Sequence, residues 1–199
     1  MRLRGWRKMA FYGVCAALLA WTIFPVYYMV MLSLVSWEDL FKPRLYVVNP
    51  TFENYLQTFA QSNYFVSQFW AQLYNSVAIA LMTTAAVLVI GTLGSYALAR
   101  IRFRGSRAIQ NMTLFTYIIP SSFLCIPFFK LMADYDLIGT KLSVILVMIT
   151  FASPYAVWIL WDYGKTIPPD IDEAAAIDGA GPLAVFFRIY RPLILPPMV

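Results

Sequence analysis

The side chains best suited to chemistry lie in one acidic segment near the C-terminal end of the chain. Asp170, Asp172 and Glu173 fall within four positions and are followed by three alanines and Gly179. Such carboxylates could exchange protons or pair with basic groups. Acid–base and metal chemistry are disfavoured because the chain has no histidine, and it lacks the glycine-rich loop that binds nucleotide phosphates. We therefore expect no catalytic residue, no metal site and no cofactor, and we interpret the segment as a surface that binds a partner.

The residues around the three carboxylates predict two short helices joined by a turn. Pro168 and Pro169 suit the first turn of a helix, where the positive end of the helix dipole also stabilises carboxylates. Gly179 should end this helix in a conformation with positive φ. A second helix is predicted over Leu183–Tyr190, ended by Pro192. The result is a small, rigid projection that fits a groove in a partner.

Long uncharged stretches predict four transmembrane helices before this projection. The chain is 61% apolar and only 13% charged, against about 25% charged residues in an ordinary soluble domain. Crossing the hydrocarbon core takes about 20 apolar residues, and four stretches without charge meet that length. We predict an all-α polytopic membrane protein with one transmembrane domain over residues 1–199 and with spans at about 10–35, 73–99, 109–131 and 142–162.

The basic residues are distributed unequally between the two sides of these spans. Eleven of the 15 lysines and arginines precede the first span, lie between the second and third, or follow the fourth. Basic residues near span ends are retained in the cytoplasm. The N-terminus, the Arg100–Arg107 loop and the acidic segment are therefore predicted to be cytoplasmic, and residues 36–72 external. This asymmetry explains the net charge of +5 without a nucleic-acid partner.

Two apolar patterns predict how the helices pack. In the external segment, Thr51 can cap a short helix whose apolar stripe would lie along the outer membrane face or against a neighbouring span, or would contact an external partner. In the second span, Gly91, Ser95 and Ala99 recur every four residues with Gly94 beside them, which lets another helix approach closely. The stripe of the external helix consists of Phe52, Tyr55, Leu56 and Phe59.

The interiors of the spans contain prolines but no central charge. Pro25, Pro120, Pro127 and Pro154 predict bends, which transport proteins and other membrane bundles both tolerate. The missing central charge disfavours a proton-coupled transporter. Both cysteines, Cys15 and Cys125, fall within spans and are interpreted as small apolar side chains, without a disulfide.

At the acidic segment the chain resembles the permease subunits of binding-protein-dependent ABC importers. Their motif is Glu-Ala-Ala, then Gly four positions after the second alanine, then an isoleucine and a proline near the end of the loop. The residue directly before that proline is usually leucine in the family, whereas here it is Arg191. The flanking residues are similar to those of the carbohydrate-uptake branch, specifically to those of the smaller permease of the maltose transporter. These flanking residues are Asn75-Ser76, Tyr96–Arg100 and Ile167-Pro168. The motif matches at Glu173, Ala174, Ala175, Gly179, Ile189 and Pro192.

This resemblance implies a division of labour among subunits. A cytoplasmic loop over residues 164–192 would be the coupling loop, seated in a cleft of one of two ATP-binding subunits, with Glu173 paired to a basic group there. ATP binding would close those two subunits and drive alternating access between this permease and a second permease subunit. An extracytoplasmic solute-binding protein would deliver the solute. The permease itself would hydrolyse nothing and would reside in the bacterial inner membrane.

The expected cargo is a sugar or a sugar derivative. Amino acids and polyamines are the alternative cargoes, and a non-transporting membrane scaffold is the alternative role. Members of the family carry two further spans after the coupling loop, so the resemblance also implies that the domain is incomplete at its C-terminal end. Aromatic and uncharged polar side chains that would suit a neutral polyol in the translocation path are Tyr117, Ser121, Ser122, Tyr155 and Trp158.

Overall fold

The computed structural model describes residues 5–42, 44–101 and 103–198, and every regular element in this part of the chain is helical. The all-α prediction is confirmed, with 77% of the residues in helices. Short 3₁₀ turns connect several of the helices. The principal elements are α1 (Gly5–Ser33), α2 (Glu53–Ala60), α3 (Phe69–Arg100), α4 (Ser106–Phe115), α5 (Ser121–Asp134), α6 (Lys141–Gly164), α7 (Asp170–Ile177), α8 (Pro182–Val185), a π-helical turn (Phe186–Tyr190) and α9 (Arg191–Leu193).

Three helical segments of the described chain are long and apolar enough to cross a membrane. They are Gly5–Ser33, Tyr64–Arg100 and Lys141–Gly164, with mean hydropathies of 1.9, 2.2 and 2.0. They contain the predicted spans at 73–99 and 142–162, and most of the one at 10–35. Their large apolar side chains are mostly exposed, as expected for surfaces that face lipid or other helices.

The third predicted span, 109–131, differs from a single continuous helix. It consists of α4, a 3₁₀ turn at Thr116–Ile118, and α5, which begins after Pro120. Proline has no N–H to donate and pushes the preceding residue out of the helical region, and Ile119 is accordingly extended, with φ −78° and ψ 114°. At about 1.5 Å per residue, neither helix alone reaches across the hydrocarbon core.

The chain divides into two compact units, Met1–Leu73 and Tyr74–Val199. In the first unit, the segment after α1 is held by hydrogen bonds to the end of that helix. The Asn54 amide donates to the carbonyl oxygens of Ser33 at 3.0 Å and of Val35 at 2.8 Å, and the Thr51 N–H donates to the Leu34 carbonyl at 2.8 Å. Ser33 is the last residue of α1, so its bond satisfies a carbonyl that the helix end leaves without a partner. The other two bonds satisfy carbonyls of the turn that follows the helix.

The predicted external helix is present as α2. The predicted cap at Thr51 is wrong by one residue, because Phe52 occupies the N-cap position. The Thr51 hydroxyl nevertheless accepts a hydrogen bond from the N–H of Glu53, the first residue of the helix, at 3.1 Å. The apolar stripe is largely exposed, but Phe59 stacks on Trp70 with ring centroids 5.7 Å apart. One end of the stripe therefore packs against the first turn of α3, as one of the sequence-based alternatives predicted.

In the second unit, α3 and α6 cross at very short range. A Cβ atom added to Gly91 would lie 3.1 Å from Ala156 Cβ and 3.1 Å from Leu160 Cδ1, and one added to Gly94 would lie 2.9 Å from Val157. The predicted small-residue contact of this helix is thus confirmed. A buried cluster lies beside the crossing and consists of Leu160, Ile167, Phe186, Tyr190 and Ile194. Burial of each apolar side chain in it contributes about 1.5–3 kcal/mol to the free energy of folding.

Candidate functional site

The acidic segment forms α7, which begins at Asp170 directly after Pro169. Its first turn carries all three carboxylates, where the unpaired N–H groups favour negative charge. The chain leaves the helix through Gly179, whose φ of +84° lies in the left-handed region. The predicted positive φ at this glycine is confirmed. α7 is a helix of eight residues, which is about two turns.

The outward face of α7 is exposed and combines charge with an apolar side chain. Asp170, Glu173, Ala174 and Ile177 share this face by helical spacing, and all four are exposed. Ile177 is 87% exposed, an unusual position for an isoleucine. Ala174 and Ala175 add little bulk, so a partner could approach the helix closely and offer a basic group to Glu173.

The inward face of α7 is attached to the end of α3. Asp172 forms an ion pair with Arg100, and the two side chains are only 17% and 11% exposed. The Arg100 guanidinium also donates a hydrogen bond to the Ile167 carbonyl at 3.0 Å. One arginine therefore holds both the first turn of α7 and the linker before it. The sequence indicated Arg100 only as a cytoplasmic charge, and nothing in the local pattern predicted its partner 72 positions away.

A buried tyrosine supports this arginine from below. Tyr190 is 0% exposed, and its hydroxyl donates to Ser95 Oγ at 3.2 Å. Burial raises the pKa of Tyr190 above its ordinary value of 10.0, so the phenol stays protonated and remains a donor. The Arg100 guanidinium carbon lies 5.6 Å from the centroid of the Tyr190 ring, within the range of a cation–π contact. Sequence reasoning named Tyr190 only as a helix end.

The second predicted helix is longer than expected. The prediction that it covers Leu183–Tyr190 and stops at Pro192 is wrong, because helical turns continue from Pro182 through Leu193. Between Phe186 and Tyr190 the helix widens to π geometry, with the Arg191 N–H bonded to the Phe186 carbonyl. A proline ring normally collides with the carbonyl four residues earlier. The wider turn before Pro192 gives the ring room, so the helix can pass it.

The remaining motif residues lie on this second helix. Ile189 is half-buried within the π turn, and Pro192 is exposed in α9. They therefore lie on the second helix and not on the exposed face of α7. A groove of about 1440 Å³ lies between α7 and the loop after α3, with Arg104 and Arg107 among its basic lining residues and Glu173 among its acidic ones.

The candidate path residues form two pairs on two helices. Ser121 and Ser122 are exposed in the first turn of α5, immediately after the break at Pro120. Tyr155 and Trp158 lie one turn apart on α6, with ring centroids 6.1 Å apart. The side chain of Tyr117 lies outside the described part of the structure. The structure thus brings the two aromatic residues together and places the serines at an interruption of the apolar helix.

Comparison with known proteins shows which family the chain belongs to. The sequence profile of the family described as "Binding-protein-dependent transport system inner membrane component" matches residues 90–199. The chain is 31% identical over 194 residues to an inner membrane ABC transporter permease protein, YcjP, of Escherichia coli, covering 96% of this chain and 68% of that protein. This chain belongs to that permease family. The matched region contains α7, the π turn and all the motif residues of the acidic segment.

Two further comparisons agree with this assignment. The permease is 32% identical over 196 residues to the trehalose transport system permease protein SugB of Mycobacterium tuberculosis, covering 98% of this chain and 70% of SugB. It also superposes on a chain in the crystal structure of a bacterial ABC transporter involved in the import of the acidic polysaccharide alginate. That match has a TM-score of 0.76 and 26% identity, and it covers 100% of this permease and 70% of that chain. The chain is therefore a multi-pass permease of the inner membrane, of the kind found in sugar ABC importers.

Proposed function

We propose that this permease imports a sugar or sugar derivative, using ATP hydrolysis in a separate subunit to which α7 couples it. The observation that carries the proposal is the contrast between the two faces of α7. Its inward face is fixed to α3 through Asp172, whereas its outward face presents Glu173 and Ile177 to solvent. A short helix that is rigidly supported and exposed on one side can transmit force from a docked subunit.

Docking on α7 would combine two kinds of contact. Ile177 would be buried in an apolar part of the cleft, since a side chain 87% exposed gains by leaving water. Glu173 would pair with a basic group of the ATP-binding subunit, which gives the interface its orientation. Glycine at position 179 lets the chain turn away immediately after the helix, so that nothing shields this face. The partners would be two ATP-binding subunits, a second permease and an extracytoplasmic binding protein.

The orientation in the membrane follows from the charge asymmetry. Arg104, Arg107 and Lys165 lie on the same side as α7 in the predicted topology, and the positive-inside tendency assigns that side to the cytoplasm. The ATP-binding subunits must be cytoplasmic to use cellular ATP, so this orientation agrees with the docking role of α7. The segment that contains α2 would face the binding protein outside.

A neutral sugar is the cargo that the path candidates favour. The Tyr155 and Trp158 rings, with an apolar face and a polar edge, suit a polyol that is itself apolar on one face and hydroxylated around its rim. Ser121 and Ser122 would supply hydroxyl and N–H donors at the interrupted helix. Two similar proteins have names that refer to trehalose and alginate, which supports a carbohydrate over an amino acid or a polyamine.

The docking role is tested by reversing the charge of Glu173. In the complete complex, Glu173→Lys should weaken co-purification with the ATP-binding subunit by about 100-fold or more, because like charges brought together at an interface cost several kcal/mol. Sugar-stimulated ATP hydrolysis should fall with it. The matched control is Glu38→Lys, which makes the same change at an exposed position outside the acidic segment. Normal assembly and uptake with Glu173→Lys would exclude α7 as the docking helix.

A further inference from the structure

We propose that Arg100 is a positioning residue that makes the end of α3 and α7 move as one body. The proposal concerns a cluster that we call the coupling joint: Ser95, Tyr96, Arg100, Asp172 and Tyr190. It rests on the proposed function in one respect, since transmission matters only if a subunit docks on α7. The contacts within the coupling joint all lie in this chain, so they do not depend on the proposed function.

The first half of the joint is electrostatic. The Arg100 guanidinium forms an ion pair with Asp172 and donates a hydrogen bond to the Ile167 carbonyl at 3.0 Å, so the ion pair holds α7 and the hydrogen bond holds the linker before it. Because both side chains of the ion pair are less than one-fifth exposed, water and salt screen the pair only weakly. Removing one partner of such a pair leaves a shielded charge without compensation, which costs far more than losing a surface pair. The connection is therefore stiff.

The second half of the joint is aromatic and ties in the helix that follows. Tyr190 sits beneath the guanidinium, and its ring centroid lies 5.0 Å from that of Tyr96. Tyr96 also meets Phe186 edge to face, with centroids 5.2 Å apart. With the hydroxyl bond to Ser95, the last two turns of α3 hold both the π turn and, through Arg100, α7. The two short helices of the projection thus converge on one transmembrane helix.

Arg100 has two roles in this arrangement, and the sequence alone does not distinguish them. As a topological signal, any basic residue at position 100 would serve equally well. As part of the joint, the residue must bond to a carboxylate and to a backbone carbonyl at once. The planar fork of arginine suits two acceptors in a fixed geometry, whereas the lysine ammonium is a compact point charge. Arg100→Lys therefore keeps the charge and loses the simultaneous contact with the carboxylate and the carbonyl.

The functional experiment measures ATP hydrolysed per sugar imported in the complete complex. Arg100→Lys should assemble at the wild-type level, unlike Glu173→Lys, but should raise this ratio by about tenfold or more because hydrolysis continues while transmission fails. The matched control is Arg107→Lys, an exposed arginine in the first turn of α4, which should leave the ratio unchanged.

A second measurement addresses the joint without reference to transport. Spin labels at Val89 on α3 and Asp178 at the end of α7, in the solubilised full chain with its two native cysteines replaced, should give one narrow distance distribution. Arg100→Lys should broaden it, and Arg107→Lys should not. An unchanged distribution or an unchanged ATP ratio in Arg100→Lys would overturn the proposal, as would loss of assembly in that variant. Failure of Glu173→Lys to impair docking would instead contradict the docking role while the distance measurement still reports on the joint.

Discussion

At the scale of single residues, Gly164 determines whether Tyr190 can reach Ser95. A Cβ atom at position 164 would overlap the Tyr190 hydroxyl. The glycine has no positive φ, so its value lies in the space it leaves and not in its backbone freedom. The last turn of α6 is therefore shaped around the phenol of a residue 26 positions later.

Gly164→Ala should consequently destabilise the protein. Overpacking of this kind costs about 1–3 kcal/mol, and it should appear as a lower melting temperature of the solubilised protein. Tyr190→Phe removes the atom that collides, so the double variant should recover part of the loss. Gly13→Ala is the matched control, because nothing lies within 4 Å of its added Cβ. Equal melting of Gly164→Ala and the wild type would refute this packing.

Residues also show where sequence reasoning succeeds and where it stops. The positive φ of Gly179 was predictable because a helix end is a local event that a glycine reports directly. The bond between Tyr190 and Ser95 was not, since it joins residues 95 positions apart. Tyr190 lies at the end of a helix that the sequence predicted to project from the membrane, and that local pattern carries no signal of a buried partner on another helix.

At the scale of elements, Asn54 fixes the start of α2 to the end of α1. Asn54→Ala should lose two hydrogen bonds, one to the carbonyl of Ser33 at the end of α1 and one to the carbonyl of Val35 just after it, at about 0.5–1.5 kcal/mol each. Amide hydrogen exchange in α2 should accelerate by about tenfold. Gln57→Ala, which removes only an exposed side-chain bond to Glu53, should change it little. Unaltered exchange in Asn54→Ala would show that other contacts hold this segment.

For the third predicted span, the sequence predicted the apolar composition correctly but did not predict that the helix is interrupted. The stretch from Ala108 to Phe129 is indeed uncharged. A count of apolar residues, however, does not register that a proline lacks a backbone N–H donor. Pro120 was visible in the sequence as a bend. The structure turns that bend into a break, because the 3₁₀ turn before it already departs from α-helical geometry. Conversely, α3 and α6 were predictable since no interior proline interrupts α3, and Pro154 is accommodated within α6.

At the scale of the whole molecule, the charge asymmetry makes a topological prediction. In a variant without Cys15 and Cys125, a cysteine at Asn63 should react with a membrane-impermeant thiol reagent in intact cells. A cysteine at Ser106 should react only after the cells are permeabilised, because it lies in the loop assigned to the cytoplasm. Labelling of the Ser106 position alone in intact cells would invert the orientation and place α7 outside.

The central claim is that the outward face of α7 contacts an ATP-binding subunit, and photo-cross-linking tests it most directly. A photoreactive amino acid at Ile177, in the assembled complex, should form a covalent adduct with the ATP-binding subunit. The same group at Trp21, which is 82% exposed on α1, should form none. An intact complex that gives no adduct at Ile177, or equal adducts at both positions, would contradict the assignment of α7 as the coupling helix.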